Sequence, residues 1–392
     1  MKHIVHVSND FAPMSAGINT HLQSLLPEIT KQGFQVTLLV PTASNDEKIE
    51  DIYEDNSWEH FTCVRANYPG STNVISKLLY LTKSTKAGLR WIEKEIGRID
   101  LIHQHDQRAT RLGASHYAKK NNVSVIWTNH SPDYFGNSEL FTRLIPKFFR
   151  LRPDGLIAVH RSMAELFWDS EYSDLPVQYI SNGVDTNKFR TSSKDRKSSD
   201  FVILFPQRLV PMKGPSVLAK AVTLICRKND NTNFSIWFAG DKLPLNRDNN
   251  TTKKVKTILN SSSEEYSVKF LGNPQYQQMP SYYRQADIVV LPLQVETENI
   301  SIFEAWASGT PLITTKQVEK NGYMVHEENC LIVPNNDPHK MADAILRLSK
   351  DLELRQKLAA NGREWVQNRF RWSQVAEKTS EFYREVFKKR NV

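Results

Sequence analysis

Two cations stand five residues apart in RLVPMKG, where Arg208 and Lys213 follow the apolar segment FVILF and precede Gly214. An arginine guanidinium can hold two phosphate oxygens at once, whereas a lysine ammonium acts as a point charge. The pair could therefore bind a diphosphate, although a solvated basic loop would have the same spacing.

A pair of carboxylates, Glu296 and Glu304, follows a second apolar segment, IVVLPLQV. Glu304 is predicted one turn inside a helix that begins near Ser301, and Asn299 or Ser301 can cap that helix. Free N–H groups around Asn299, Ile300 and Ser301 would then bind an anion or a sugar oxygen. Glu304 lies among apolar residues and needs a partner if buried, such as a ribose diol, while Glu296 could accept hydrogen bonds from sugar hydroxyls. A pair of surface carboxylates is the alternative.

The first half of the chain offers weaker candidates. Gly17 precedes a predicted helix, where it would let the backbone approach a phosphate, but the segment is not G-x-G-x-x-G and turn geometry also explains a glycine. His130 ends the segment SVIWTNH and could donate a hydrogen bond to a sugar or move a proton, as could His105 after LIHQ, although either could be structural.

The elements that position these residues alternate between apolar strands and amphipathic helices. Such alternation predicts parallel sheets covered on both faces, with ligands at the carboxyl ends of the strands. Residues 190–200, RTSSKDRKSSD, contain no apolar residue and predict a linker. We therefore predict two doubly wound α/β domains, 1–190 and 191–370, that face a cleft, followed by a helix in 371–392 that crosses back to the first domain.

Composition narrows the class of protein. The net charge is +8: residues 1–190 hold 21 basic and 21 acidic residues, and the rest hold 30 and 22. An excess of positive charge near the predicted phosphate loop suits a nucleotide diphosphate, and no nucleic-acid motif accompanies it. Three scattered cysteines without C-x-x-C indicate neither a disulfide framework nor a zinc site. No signal peptide or spanning segment is evident, so we expect a cytoplasmic location.

The order of these motifs resembles a retaining family-4 glycosyltransferase with the GT-B fold, which has two Rossmann-like domains. The matching segments are AGINTH at 16–21, TNHS at 128–131, NGVDTNKF at 182–189, RLVPMKG at 208–214 and ETENISIFE at 296–304, which is followed by A-x-A-S-G-T-P. The resemblance covers the chain nearly from end to end, and the Glu-x7-Glu segment is its most specific part.

The resemblance implies a role for each candidate residue in transferring a sugar from a nucleotide-diphosphate donor, most often UDP-linked, to a hydroxyl acceptor. Arg208 and Lys213 would neutralise the leaving phosphates, and Gly17 would approach them. Glu304 would bind the ribose, Glu296 would hold the donor sugar, and His130 would lie near the transferred group. No cofactor or metal is implied, and the sequence contains no D-x-D pair.

Three positions depart from the family pattern. Ala16 replaces the first of two usual glycines, Gln207 replaces a glycine before Arg208, and residues 297–299, Thr-Glu-Asn, replace a glycine-containing stretch beside the donor sugar. These changes leave the identity of the sugar open.

Two other functions also fit the same residues. One is a sugar-nucleotide epimerase or hydrolase that uses Glu296 and His130. The other is a non-catalytic module on an anionic membrane, bound through the basic, apolar stretch 139–152 or through Lys77, Lys83, Lys86 and Arg90.

Overall fold

The computed structural model describes residues 1–9, 11, 17–44, 51–71, 73–105, 108–130, 152–168, 172–191, 200–226, 233–240, 250–260, 266–295 and 299–390. The chain divides into two compact units, one formed by Met1–Asn182 with Trp372–Val392 and the other by Gly183–Arg371. Both are α/β units built on largely parallel sheets, which confirms the predicted fold class.

The elements before residue 182 alternate in type along the chain. They are β1 Lys2–Val7, α1 Gly17–Lys31, β2 Phe34–Ser44, β3 Ile52–Glu54, β4 Thr62–Pro69, α2 Val74–Glu95, β5 Leu101–His105, α3 Arg108–Asn121, β6 Ser124–Asn129, β7 Gly155–Ala158, α4 Arg161–Trp168 and β8 Val177–Tyr179.

The elements of the second unit follow the same alternation. They are β9 Phe201–Phe205, a 3-10 turn Pro211–Lys213, α5 Pro215–Cys226, β10 Phe234–Phe238, α6 Asn250–Asn260, β11 Tyr266–Phe270, α7 Met279–Gln285, β12 Ile288–Leu291, α8 Ile300–Ala307, β13 Leu312–Thr315, a 3-10 turn Lys316–Asn321, β14 Leu331–Val333, α9 Pro338–Lys350 and α10 Leu352–Arg369. The last helix, α11 Trp372–Arg390, belongs to the first unit.

The first sheet has the strand order β3-β4-β2-β1-β5-β6-β7-β8, and only β3 runs antiparallel to its neighbour. Separate hydrophobic clusters cover its two faces. One of these clusters includes Trp372, Phe382 and Tyr383 from α11, so the last helix completes the core of the first unit.

The second sheet is entirely parallel, in the order β11-β10-β9-β12-β13-β14, and is also covered on both faces. Helix α10 packs closely on α8, since a Cβ added at Gly362 would lie 2.3 Å from Trp306 Cδ1. Trp306 Nε1 also donates to Asn329 O at 2.9 Å, which fixes the orientation of α8 and of the side chains that it carries.

The division between the units lies eight residues before the predicted boundary of 190/191. Val184 N donates to Phe370 O at 2.8 Å, and Phe189 is fully buried in the core of the second unit. The polar stretch that suggested a linker falls mostly on residues 192–199, which lie outside the described residues. The chain therefore joins the second core before its polarity changes.

Among the described residues, no helix has both the length and the apolar character needed to cross a bilayer. Residues 139–151 of the basic, apolar stretch named above lie outside the described part of the chain.

Candidate functional site

The loop after β9 is pressed against the end of β12. It forms the 3-10 turn Pro211–Lys213 and then Gly214, whose φ is 70°. A Cβ at Gly214 would lie 1.9 Å from Pro292 O, so only glycine fits this approach. Gln294 N donates to Met212 O at 3.0 Å and joins the two loops. The position of Lys213 is thus set by backbone contacts.

Lys213 is a buried cation with only 9% of its surface exposed. Burial, followed by repulsion from the Arg208 guanidinium, lowers the pKa of the Lys213 ammonium from 10.5 to about 8. Both effects disfavour the charged form, and a bound anion would oppose both. The structure therefore brings the two predicted cations together in a place suited to phosphate.

The N-terminus of α8 is held by an amide network. Asn299 Oδ1 accepts a hydrogen bond from Ser301 N at 3.2 Å and caps the helix. Gln207 Nε2 donates to the same Oδ1 at 2.9 Å and to Ser301 Oγ at 2.8 Å. Asn299 is 6% exposed, yet its Nδ2 has no hydrogen-bond acceptor among the described residues. An unused buried donor favours a bound acceptor, such as a phosphate or sugar oxygen.

These two groups lie on either side of the switch point of the second sheet. β9 pairs with β10 on one side and with β12 on the other, so the chain reverses its direction of strand addition there. Open parallel sheets bind ligands in the crevice outside the carboxyl ends of such strands. Arg208 and Lys213 follow β9, and Asn299 and Ser301 follow β12.

Glu304 is a buried carboxyl group on the second turn of α8, 5% exposed. Tyr283 Oη donates to its Oε2 at 2.7 Å, and the Tyr276 hydroxyl lies nearby. Burial raises the pKa of Glu304 from 4.5 to about 7, although the two tyrosines and Lys188 oppose the shift. Glu304 therefore changes its charge near neutral pH.

In the first unit, the corresponding switch point lies between β1 and β5. Gly17 is the first residue of α1 and is exposed, and an added Cβ would meet no described atom within 4 Å. The described residues thus give no steric reason for glycine at 17, and its proposed approach to phosphate stays a prediction.

His130, just beyond β6, belongs to a histidine cluster formed by His6, His21, His103, His105 and His130. His6 and His103 are register partners on β1 and β5, and His105 follows on the same face of β5. The His103 and His105 rings stack at 4.3 Å between centroids, and His21 meets His130 edge to face at 4.6 Å.

A chain of hydrogen bonds runs through the histidine cluster. His130 Nε2 lies 3.0 Å from His105 Nδ1, and His105 Nε2 lies 3.0 Å from His6 Nδ1. His6 Nε2 is 3.3 Å from Tyr383 Oη, which is 2.5 Å from His103 Nδ1. Burial lowers the pKa of every histidine in the cluster, to about 3 for His6 and about 4 for His21. The imidazoles are therefore neutral at physiological pH.

The structure places Arg208 and Lys213 after β9, and it places Asn299, Ile300, Ser301 and Glu304 after the neighbouring strand β12. Glu296, with residues 297 and 298, lies outside the described residues, so its role stays a prediction. His130 lies at a strand end of the first unit, as predicted from its place after SVIWT.

Sequence reasoning missed His6, His21 and His103 as neighbours of His130. The H-x-H alternation at 103 and 105 within an apolar strand was the available signal, because alternate residues share one face of a strand.

Gln207 and Asn299 should behave as a coupled pair, since each satisfies the other across 92 residues of sequence. We expect Gln207→Ala and Asn299→Ala each to lower the free energy of unfolding by about 1–2 kcal/mol, through a lost cap or an orphaned amide. The double variant should lose about 1 kcal/mol less free energy of unfolding than the sum of the losses in the two single variants. Urea unfolding measures this. Gln207→Ala combined with Asn361→Ala, on α10, should be additive, and full additivity in the first pair would contradict the coupling.

The fold has close counterparts among solved structures of GT-B glycosyltransferases. Sucrose-phosphate synthase from Thermosynechococcus elongatus superposes with a TM-score of 0.80 at 21% identity, covering 99% of both chains. Anabaena HepE in complex with UDP-glucose gives a TM-score of 0.75 at 16% identity, covering 98% of this chain and 100% of that one. The two parallel-sheet units therefore have the GT-B fold.

Two family models together span residues 15–365. The model of Glycosyltransferase Family 4 matches residues 15–188, and that of Glycosyl transferases group 1 matches residues 187–365. The chain belongs to this family of glycosyltransferases.

Curated relatives of the chain carry the same activity in their names. The D-inositol 3-phosphate glycosyltransferase of Corynebacterium glutamicum is 24% identical over 96% of this chain and 94% of its own length. A GDP-mannose-dependent phosphatidylinositol monomannoside mannosyltransferase of Mycobacterium tuberculosis is 26% identical over 53% of this chain and 56% of its own.

Proposed function

We propose that this glycosyltransferase moves a hexosyl group from a UDP-linked sugar to a hydroxyl acceptor, with retention of the anomeric configuration. The observation that carries the proposal is the buried Lys213 beside Arg208 at the switch point of the second sheet, opposite the Asn299 cap of α8. Two cations and a helix N-terminus on one crevice suit a diphosphate.

The remaining residues complete the proposed donor site. Glu304 accepts hydrogen bonds from the ribose hydroxyls, and Asn299 Nδ2 donates to a donor oxygen. Glu296 holds the transferred sugar and His130 lies near it, whereas Gly17 approaches the diphosphate. The protein's own cations balance the phosphates, with no cofactor and no divalent ion on the diphosphate.

In the proposed reaction, the acceptor oxygen bonds to the anomeric carbon as the bond from that carbon to the diphosphate oxygen breaks. Attack occurs on the face that the leaving group departs from, and the acceptor proton passes to the released phosphate oxygen. This step needs no protein nucleophile. Charge develops on the leaving diphosphate, where Arg208 and Lys213 stabilise it.

UDP is the proposed nucleotide because solved structures of similar fold hold UDP or UDP-glucose, although a curated relative is named for GDP-mannose. The acceptor is a hydroxyl on a sugar, a polysaccharide, a lipid-linked sugar or a small metabolite. D-inositol 3-phosphate belongs in the acceptor panel because a curated relative is named for it.

A panel of UDP, GDP and ADP, followed by their sugars, tests the proposal. We expect UDP to raise the thermal unfolding temperature most, and proton NMR to show a product with the donor's anomeric configuration. A product with inverted configuration would refute retention. If GDP raised the unfolding temperature more than UDP, GDP would take the place of UDP as the proposed nucleotide. A new nucleotide sugar formed without acceptor would favour the epimerase alternative, and free sugar alone would favour the hydrolase.

A peripheral membrane contact is a second proposal, for which α2 provides the specific observation. Ile75 and Leu79 are 65% and 54% exposed. Helical spacing places them on one stripe with Lys83, Lys86 and Arg90, which suits an anionic bilayer surface.

Co-sedimentation with vesicles that contain phosphatidylserine should therefore capture the chain. The variant Ile75→Asp/Leu79→Asp should release it, whereas Leu352→Asp, at an exposed leucine of α10, should not. Equal pelleting of all three proteins, or no pelleting of the parent chain, would reject the contact.

A further inference from the structure

In three histidines of the histidine cluster, one ring nitrogen of each lies close to those of the other two. His105 Nδ1 and His130 Nε2 are 3.0 Å apart, and one nitrogen of each of His21, His105 and His130 lies within 4.8 Å of the other two. The side chains come from α1, the end of β5 and the residue after β6, so their convergence is a product of the fold.

The hydrogen-bond partner of His21 determines which of its ring nitrogens carries the proton. Its Nδ1 lies 2.8 Å from Asn182 Oδ1, and because an amide oxygen only accepts, Nδ1 carries the proton. The lone pair of His21 is therefore on Nε2, which makes no hydrogen bond to any described residue. The His21 ring is only 4% exposed and packs edge to face against His130.

The rest of the histidine cluster orients His105 in the same way. With the lone pair of His105 on Nδ1, its Nε2–H donates to His6 Nδ1. His6 Nε2–H then donates to Tyr383 Oη, and that hydroxyl donates to His103 Nδ1. His103 Nε2–H ends the chain at Thr128 Oγ1, at 2.6 Å. Every donor then has an acceptor, which is the outer support that metal-bound histidines usually have.

We propose that His21, His105 and His130 bind a divalent transition-metal ion of the zinc class, through His21 Nε2, His105 Nδ1 and His130 Nε2. A tetrahedral ion about 2.0–2.1 Å from each nitrogen holds nitrogen pairs about 3.4 Å apart, so the 3.0 Å pair opens slightly and the wider pairs close. A fourth position stays open for water or an oxygen ligand.

The ligand set selects the kind of ion. Three neutral imidazoles, with no carboxylate in the group, favour Zn²⁺, Co²⁺, Ni²⁺ or Cu²⁺ over Mg²⁺ and Ca²⁺. His130 is partly exposed and provides the route of entry. The neighbouring triad of His6, His103 and His105 is less suitable, because all three are fully buried and their nitrogens are used within the hydrogen-bond chain.

All three ligands belong to the first unit, whereas Arg208, Lys213 and Asn299 belong to the second. The site is not evident in the sequence, because its ligands stand far apart in the chain, at positions 21, 105 and 130.

The test uses the full chain, stripped of metal with a chelator and titrated with Co²⁺ and then Zn²⁺. We expect one equivalent of Co²⁺ to produce visible absorption bands of a tetrahedral complex, and one equivalent of Zn²⁺ to remove them. Mg²⁺ should have no effect. The absence of a stoichiometric Co²⁺ spectrum, together with no Zn²⁺ binding by calorimetry, would overturn the proposal.

Matched variants locate the ion. His21→Ala should weaken binding at least about 100-fold, and Asn182→Ala about 10–100-fold, because it removes the partner that orients His21. His60→Ala, at an exposed histidine of the same unit, should bind as the parent chain does. If His21→Ala does not fold, His21→Gln and His130→Ala take its place. Unchanged affinity in a folded ligand variant would overturn the assignment.

Discussion

Replacing Lys213 with alanine should lower kcat/KM for the donor by about 10²–10³-fold, with little change in KM for the acceptor. The ammonium is buried beside Arg208, so its charge acts on the leaving diphosphate with little screening by water. Steady-state kinetics with a nucleotide sugar measures the loss. Lys213→Arg should also be impaired, because a planar guanidinium fork does not reproduce the compact point charge of a lysine ammonium.

Removing the charge of Lys213 should stabilise the ligand-free protein. The pKa of Lys213 is lowered to about 8 from 10.5, so its favourable contribution to stability is present above about 10.5 and is lost as the pH falls through 8. At pH 7, Lys213→Met removes a buried cation and should raise the thermal unfolding temperature. Lys220→Ala, at an exposed lysine of α5, should change neither activity nor stability. Normal transfer by Lys213→Ala would end the phosphate assignment.

Glu304→Gln should weaken donor binding by about 10–100-fold above pH 7 and by less below it, since only the carboxylate makes charge-assisted hydrogen bonds to the ribose. With the pKa of Glu304 near 7 and that of Lys213 near 8, kcat/KM for a nucleotide sugar should be bell-shaped with a maximum between them. The acid limb should disappear in Glu304→Gln. A profile unchanged by this substitution would show that Glu304 does not contact the donor.

The stability of the second unit should also depend on the charge of Glu304, and it should fall as the pH rises. Because the folded pKa of Glu304 is raised, its stabilising contribution is complete below about 4.5 and is lost as the pH rises through 7. Between pH 5 and pH 9, the free energy of unfolding of Glu304→Gln should therefore rise by on the order of 3 kcal/mol relative to that of the parent chain. Urea unfolding at both pH values tests this, with Glu364→Gln at an exposed position as the control.

Local pattern predicted the second unit better than the first. The helix predicted to begin near Ser301 begins at Ile300, and the helix predicted within 371–392 spans Trp372–Arg390. Both succeed because capping residues and apolar stripes are local signals. The strands β3, β4, β8 and β14 were not predicted, and three of these four have only three residues, a length that carries little periodicity. The domain boundary was displaced because Val184 and Phe189 join the second core before the polar stretch begins.

The candidate site shows the same limit. Arg208 and Lys213 could be paired from their spacing, and Glu304 could be placed on a helix. The contact of Gln207 with Asn299, however, depends on two loops brought together by neighbouring strands. Gln207 replaces a usual glycine of the family, and Asn299 belongs to the stretch that replaces a glycine-containing one. Each departure was visible in the sequence, but the hydrogen bond between the two residues was not.

Helix α11 also determines the order in which this chain can fold during synthesis. Gly183–Arg371 form one uninterrupted stretch, so the second unit has all its residues before α11 is translated. The first unit still lacks Trp372, Phe382 and Tyr383 at that stage, and with Tyr383 it lacks the hydroxyl that joins His6 to His103. Although multidomain chains usually fold from the N-terminus, here the ribosome must release the last helix before the first unit can close. A chaperone would therefore encounter an incomplete N-terminal core for the whole time that the second unit is being made.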